Sequence, residues 1–376
     1  MHQITVIGAG FAALTAARRL RQHDRQARIT LVAPAPELVY LPSLIWIPSR
    51  MRSGENLRID LRRFLQRHDI DFRRARVMGL GEGGREVRLD DGEVLHNDGL
   101  IIAAGGRFIK KLPGIEHAIT ICEGIEAAER IRDRVEAMEG GTIAMGFGGN
   151  PKEPAAMRGG PMFEVLFGLD TLLRRQGRRD RFKLIFFAAA PRPGKRLGEK
   201  AVDGLMKEMQ RRGIETHLGH KPQAFTDKSV RTEGGEFAAD LIIFMPGLTG
   251  PAFAADSGLP LSDGGFFRAD SHCKVPDSER VYVAGDSGSF SGPEWMPKQA
   301  HMADLQAEAA ADNLIAELQG KPATATFKTE LICIIDSLDK GILVYRNPRR
   351  SLVIPGGVFM HWAKRFFEWW YLRRYR

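Results

Sequence analysis

With 376 residues, 43% of them hydrophobic and 27% charged, the chain has room for two or three domains with substantial cores and the make-up of an ordinary globular protein. Its net charge of +9 admits a nucleic acid, an anionic membrane or an anionic substrate, and a tail dense in both basic and aromatic residues selects the membrane surface over nucleic acid. Three cysteines, Cys122, Cys273 and Cys333, are too few and too scattered for a disulfide scaffold or a zinc site, and no apolar run is long enough to span a bilayer. A strand opens the chain at once, so no secretory leader is expected.

That strand is the apolar run of Ile4, Val6 and Ile7, which leads into Gly8-Ala9-Gly10-Phe11-Ala12-Ala13 and a helix-compatible segment reaching Leu20. Strand, glycine turn and helix start in this order are the fingerprint of a dinucleotide-binding βαβ unit. Gly8 permits the tight turn, Gly10 lets a pyrophosphate approach the backbone, and small Ala13 lets helix and strand pack with the helix N-terminus facing the anion. Residues 28–33 read as the second strand. The acid that normally ends such a strand and binds the ribose is absent here or displaced to Glu37. Residues 39–48, with Tyr40, Pro42 and Trp46, are apolar without a period, either a core loop or a loop lining a flavin. Residues 56–67 suit an amphipathic helix, and 71–89 suit a strand pair joined by a Gly-rich turn. An apolar strand from Asp98 then ends in Ala103, Ala104, Gly105 and Gly106, which lets the backbone come close to a cofactor.

Residues 111–244 are expected to form a second domain, with a helix at 123–138 and a strand at 142–147. Gly146-Phe147-Gly148-Gly149-Asn150-Pro151 offers no third small residue at the needed spacing, and its prolines delay the helix. The lack of a clean second fingerprint argues against NAD(P)H as electron donor. The helix entry lies instead in Arg158-Gly159-Gly160-Pro161-Met162-Phe163-Glu164 and the helix runs to about 175, before a strand at 182–188 and a helix at 198–212. The chain returns to the first domain through a strand at 240–244 and a cofactor-edge loop at 245–250. The strand beginning at Val281 ends in Gly285-Asp286, which in flavoproteins sets an acid against the ribitol and aims the next helix N-terminus at the flavin. An Ala-rich helix spans 296–318, and 326–352 is β-rich. In the tail, Phe359, Trp362, Phe366 and Trp370 share one helical stripe at spacings of 3, 4 and 4, with Arg365, Arg373, Arg374 and Arg376 largely to the side. This is the pattern of an interfacial anchor; a core helix docked on the body is the alternative.

With these pieces in order, the chain resembles the sulfide:quinone oxidoreductase family, within the FAD-dependent pyridine nucleotide-disulfide oxidoreductase superfamily. The resemblance rests on Tyr40-Leu41-Pro42-Ser43-Leu44-Ile45-Trp46, Gly160-Pro161-Met162-Phe163-Glu164, Leu248-Thr249-Gly250-Pro251, Pro297-Lys298 and, most specifically, His361-Trp362-Ala363-Lys364. It implies an α/β fold of two Rossmann-like, FAD/NAD(P)-binding type domains with a C-terminal amphipathic membrane-binding segment. The FAD domain would take 1–110 and 245–325, the second domain 111–244, and the C-terminal domain with its anchor 326–376. FAD would be held by Gly8, Gly10, Ala13, Pro42, Ala104, Gly105, Gly285, Asp286 and Lys298, with no metal. Electrons would pass from sulfide or a related sulfur compound through FAD to a membrane quinone. The resemblance implies a monotopic protein of the bacterial cytoplasmic membrane, with a lipid surface, a quinone and a small sulfur compound as partners, no nucleic acid, and a homo-oligomer left open.

By position, Cys122 matches a family cysteine near the flavin, Cys333 one of the redox pair, and Glu164 an acid near the active site. Lys364 and Phe367 match residues that line the quinone pocket. One departure stands out: Arg158 occupies the position of the second redox cysteine, so the usual cysteine–sulfur–cysteine bridge needs Cys122 or Cys273 beside Cys333. A lone thiolate, its pKa lowered by Arg158 or a helix N-terminus, can still attack or carry sulfur. The alternatives are a type II NADH:quinone oxidoreductase, which shares fold and tail, and a non-catalytic membrane-docked flavoprotein redox sensor.

Overall fold

The computed structural model describes residues 1–376. Two five-stranded parallel sheets organise the chain. The first has the order Val281–Val283, Gly99–Ile102, Gln3–Ile7, Arg28–Ala33, Asp71–Arg74. Ile4 lies opposite Ile29 on one side and Gly99 on the other, in parallel register. The second has the order Ala118–Ile119, Leu241–Met245, Gly141–Phe147, Phe182–Ala188, Glu215–Leu218. Their central strands are apolar on both faces, as sheets covered by helices require. The architecture is therefore α/β and Rossmann-like in both halves.

The first helix, Phe11–His23, packs on the Ala300–Leu318 helix through small residues: Ala12, Ala13, Ala16 and Ala17 on one side, Ala303, Ala307, Ala310 and Ala311 on the other, all buried. Thr15 Oγ1 donates to Asp304 Oδ1 at 2.7 Å across that seam. Three-stranded antiparallel sheets extend the body, the last built from Leu331–Asp336, Gly341–Arg346 and Ser351–Gly356. The C-terminal helix, Gly357–Leu372, packs on the first two of those strands. No helix is long and apolar enough to cross a membrane.

Three sequence expectations change. Residues 56–67 are not one helix: a single turn, Gly54–Leu57, closed by a Ser53/Asn56 capping box, gives way to strand Arg58–Asp60 and then helix Arg62–Arg67. Pairing of that strand with Glu37–Val39 overrides the helical period, and Asp60 Oδ1 accepts Arg62 N–H at 2.9 Å to restart the helix. Residues 71–89 also divide, because Asp71–Arg74 joins the parallel sheet and the hairpin is formed by Val77–Gly81 with Glu86–Leu89. The Ala-rich helix begins at Ala300 rather than 296, since Gln299 is extended at its start and follows Pro297.

Candidate active site

The glycine turn at the start of the chain is shaped by two different demands. Gly8 has φ +119°, and a Cβ there would lie 2.3 Å from the Ala103 carbonyl oxygen; its N–H donates to Val32 O at 2.8 Å. Only glycine fits where three strand ends converge. Gly10 precedes the first helix, and a Cβ on it would meet nothing within 4 Å. That helix start has no side-chain cap and no acid in its first turn, so its free amides face open space, an anion seat with room in front of it. Ala13 is fully buried in the seam behind. Gly105 has φ +77° and open space around it, next to exposed Ala104. Its carbonyl accepts Ser287 Oγ at 3.0 Å. Gly285, φ +70°, sits between Ala12 and Ala303, where a Cβ would come within 3.2 and 3.3 Å of theirs. Pro42 sits in the first turn of the buried 3-10 helix Leu41–Trp46 and is half-buried. Glu37, the displaced acid, is committed elsewhere: both its oxygens accept Arg58 Nη1 at 2.9 Å.

A cavity of about 190 Å³ opens beside this cradle, lined among others by Glu153, Gly285, Asp286, Lys298 and Met302. Lys298 Nζ donates to Gly288 O at 2.7 Å and lies 4.1 Å above the Phe266 ring. Burial pushes its ammonium down to about 8 against the pull of Asp286 and Glu153. Arg158 forms an ion pair with Asp286 and lies close enough to the Cys122 thiol to act on its charge. Burial works against the guanidinium, but Asp286 and Cys122 hold it above its ordinary value.

The lowered thiol pKa expected from the sequence is not found. Burial pushes Cys122 up to about 11 although Arg158 pulls the other way. Burial pushes Cys333 up to about 12, with Glu164 adding to the rise and Lys364 opposing it. Desolvation of a thiolate outweighs one nearby cation in both cases. Cys273 does not substitute for the missing partner. It is wholly buried in the turn before Val281–Val283, its N–H on Asp270 O at 3.1 Å and its carbonyl taken by Val283 N–H at 2.9 Å. Cys333 instead faces the start of the Gly160–Arg175 helix, where a Cβ on Gly160 would lie 3.8 Å from its sulfur. Glu164, one turn further on, is felt by both Cys122 and Cys333.

Around Glu164 the body meets the C-terminal helix through buried polar contacts. Glu164 pairs with Lys364, and its Oε1 accepts Asp336 N–H at 2.9 Å. Burial lifts the Glu164 carboxyl above the usual range despite Lys364, whereas Lys364, pressed down by burial, is held above its usual value by Glu164. Asp336 Oδ1 accepts Trp46 Nε1 at 3.1 Å and Leu338 N–H at 2.8 Å, and Oδ2 meets His361 Nδ1 at 2.7 Å. Glu368 accepts Ser43 Oγ at 2.6 Å and Arg52 Nε at 2.8 Å. Further along, Tyr371 donates to Asp304 at 2.8 Å, and its ring lies 5.7 Å from Phe11. Asp336, His361, Trp46, Ser43, Arg52 and Glu368 had no assigned role from sequence. The signal was there in part: His361, Lys364 and Glu368 recur at spacings of 3 and 4, one polar stripe opposite the aromatic one.

The outer face of the helix reverses the usual pattern. Phe359, Trp362, Phe366 and Trp370 are 73%, 56%, 63% and 44% exposed. Phe367 is exposed at the flank, its ring 5.8 Å from Tyr371. Arg365, Arg373 and Arg374 lie over the rings of Trp362, Trp369 and Trp370 at 4.4, 5.0 and 4.4 Å. Ile332, Leu352 and Ile354 of the neighbouring sheet are exposed as well. The helix is thus docked on the body, but by its charged face.

Comparison with known proteins gives the family. Residues 2–307 match the pyridine nucleotide-disulphide oxidoreductase family, and the chain belongs to it. The sulfide-quinone reductase of Aquifex aeolicus (strain VF5) is 22% identical over 398 residues, covering 99% of this chain and 91% of the relative. The ferroptosis suppressor protein 1 of Taeniopygia guttata is 25% identical over 270 residues, covering 67% and 65%. The solved sulfide:quinone oxidoreductase of Aquifex aeolicus superposes with a TM-score of 0.89 at 20% identity, over 100% of this chain and 92% of that one. An NDH2 from Plasmodium falciparum gives 0.76 at 12% identity, over 98% and 94%. The chain is therefore a flavin-dependent oxidoreductase with FAD as its cofactor. The uncapped helix start and the open space at Gly10 and Gly105 fit that group.

Proposed function

We propose that this oxidoreductase takes electrons from a small sulfur compound, sulfide or a persulfide, and passes them through FAD to a membrane quinone. The reading has it lie as a monotopic protein on the bacterial cytoplasmic membrane, its FAD domain drawn from 1–110 and 245–325, its second domain from 111–244 and its anchor within 326–376. One observation carries it: the C-terminal helix buries Lys364 against Glu164, beside Cys333, while turning an aromatic face outward. In this reading the thiol that carries sulfur and the surface that meets lipid are joined through the helix bearing Lys364.

In this reading Gly8, Gly10, Ala13, Ala104, Gly105 and Gly285 cradle the dinucleotide, and Pro42, Asp286 and Lys298 border the flavin. FAD supplies the two-electron chemistry, accepting a pair from the donor and releasing it to the acceptor. The residues bind, orient and move protons. Cys333 carries the sulfur, and because burial holds its thiol near 12 it needs a base. Glu164, one turn along the helix whose start faces the Cys333 sulfur, takes that proton. Cys122 is held by Arg158 at the other side and serves as a wall of the donor site. With Arg158, not a cysteine, at the start of that helix and paired to Asp286, Cys333 carries the sulfur without the partner thiol that the sulfide:quinone oxidoreductase pattern places there. Lys364 and Phe367 border the quinone.

The test is anaerobic mixing of the FAD-loaded protein with sulfide and, separately, with NADH while the flavin absorption is followed. Sulfide is expected to bleach the flavin and NADH to leave it unchanged. Bleaching by NADH alone would move the assignment to a type II NADH:quinone oxidoreductase, and bleaching by neither would leave a flavoprotein with changed chemistry.

A further inference from the structure

His361 is buried on the inner face of the C-terminal helix, one turn before Lys364 and next to exposed Trp362. Its Nδ1 meets Asp336 Oδ2 at 2.7 Å, and the Trp46 ring crosses it edge-on at 6.1 Å between centroids. Asp336 cannot turn away, because its other oxygen holds the Trp46 indole and the Leu338 amide. Such a carboxylate fixes the ring and its tautomer, leaving Nε2 as the one nitrogen free to exchange a proton. The neighbouring charges are already matched: Lys364 is engaged by Glu164 and donates to Ile334 O at 3.1 Å, and Glu368 is engaged by Arg52 and Ser43. Apart from Glu164, which the sulfur step uses, the imidazole is thus the group in this cluster with an uncommitted proton position.

An acceptor arriving through an apolar face has a particular need there. A quinone that gains electrons in a water-poor setting becomes an anion with nothing to solvate it, at a cost of many kcal/mol unless a proton arrives with the charge. Lipid supplies none, so the protein must. We propose that His361 is the proton donor to the quinone and that Asp336 is its positioning residue. This rests on the quinone reading above. Reduction to the quinol takes two electrons, supplied by reduced FAD, and two protons. One comes from His361 as the imidazolium, its Nδ1–H kept on Asp336: the Nε2–H bond breaks as an O–H bond forms on a quinone oxygen, leaving the neutral imidazole. The second comes from water, which also returns the lost proton to the neutral imidazole, so that the sum is quinone, two electrons and two protons giving quinol.

The experiment isolates the acceptor half. FAD-loaded protein is reduced anaerobically with one equivalent of dithionite and mixed with a short-chain water-soluble quinone, and flavin reoxidation is timed. His361→Gln is expected to slow reoxidation by about 100-fold or more, the scale of general acid catalysis, with the half-saturating quinone concentration unchanged. His361→Gly is expected to recover rate with added imidazole, which a purely structural role would not produce. Asp336→Asn is expected to lower the rate at saturating quinone, again without changing half-saturation. Bound-flavin absorption and the thermal midpoint of each variant establish that it is folded. Wild-type reoxidation in a folded His361→Gln protein would overturn the proposal, as would a folded His361→Gly protein that imidazole does not restore. If no quinone reoxidises the reduced wild-type protein, the quinone reading itself fails, an outcome distinct from failure of the proton donor alone.

Discussion

The first helix, Phe11–His23, turns alanines to the core and keeps Arg18, Arg21 and His23 toward its outer side, while the last, Gly357–Leu372, turns His361, Lys364 and Glu368 inward and leaves tryptophans and phenylalanines outside. The first obeys the usual economy of burial, in which each Å² of apolar surface removed from water contributes about 25 cal/mol. The last spends its inner face on charges, each with a partner: Lys364 with Glu164, Glu368 with Arg52 and Ser43, His361 with Asp336. Buried pairs of this kind add little net stability but tolerate only one arrangement, because breaking one leaves a charge stranded. The difference teaches that one helix is ordered to make a core and the other to present a surface. An aromatic face of this size in water is unfavourable; against head groups and acyl chains it is not.

Perturbing the charged face is expected to cost most. Lys364→Met should destabilise the protein by about 3–5 kcal/mol at neutral pH in chemical denaturation, because Glu164 is left buried without a counter-charge. The sign with pH follows from the raised carboxyl: above the unfolded-state value the unfolded chain releases the proton that folded Glu164 keeps, so stability falls as pH rises and recovers on acidification. Adding Glu164→Gln to Lys364→Met should restore part of the loss at neutral pH; a fully additive loss would mean that the two are not a pair.

In the N-terminal half, where packing rather than charge decides, Gly8→Ala is the sharpest intervention. A methyl 2.3 Å from the Ala103 oxygen at a positive φ should cost about 2–4 kcal/mol and lower the bound FAD visible by absorption. Normal FAD content in that variant would show that the turn relaxes. The smallest effect on stability is expected on the outer face. Trp362→Ser with Phe366→Ser should leave unfolding within about 0.5 kcal/mol per site, as for other surface positions, yet abolish co-sedimentation with lipid vesicles. Retained sedimentation would move the anchor to Ile332, Leu352 and Ile354.

The sequence was most readable where a local rule had no competitor. Strands 28–33 and 182–188 appear at the bounds their patterns predict, and the helix Gly160–Arg175 starts within the entry segment 158–164 read from its glycines and proline. Local rules failed at 56–67, where a distant strand, Glu37–Val39, captured the middle of a helical pattern. The aromatic stripe of the tail was visible from its spacing, but its opposite face was not: a His, a Lys and a Glu look like a solvated face until Asp336, Glu164 and Ser43 arrive from elsewhere in the chain. The thiols misled for a related reason. Arg158 does lie at Cys122, yet how deeply a sulfur is buried is a property of the whole fold, and here burial prevails.

The two termini share a clasp. Tyr371 holds Asp304, which in turn holds Thr15, and the Tyr371 ring rests near Phe11, the residue immediately after Gly10. Cutting away the tail would therefore unlatch the dinucleotide turn at the far end of the chain. A shortened protein that loses both lipid binding and flavin would say nothing about where lipid binds.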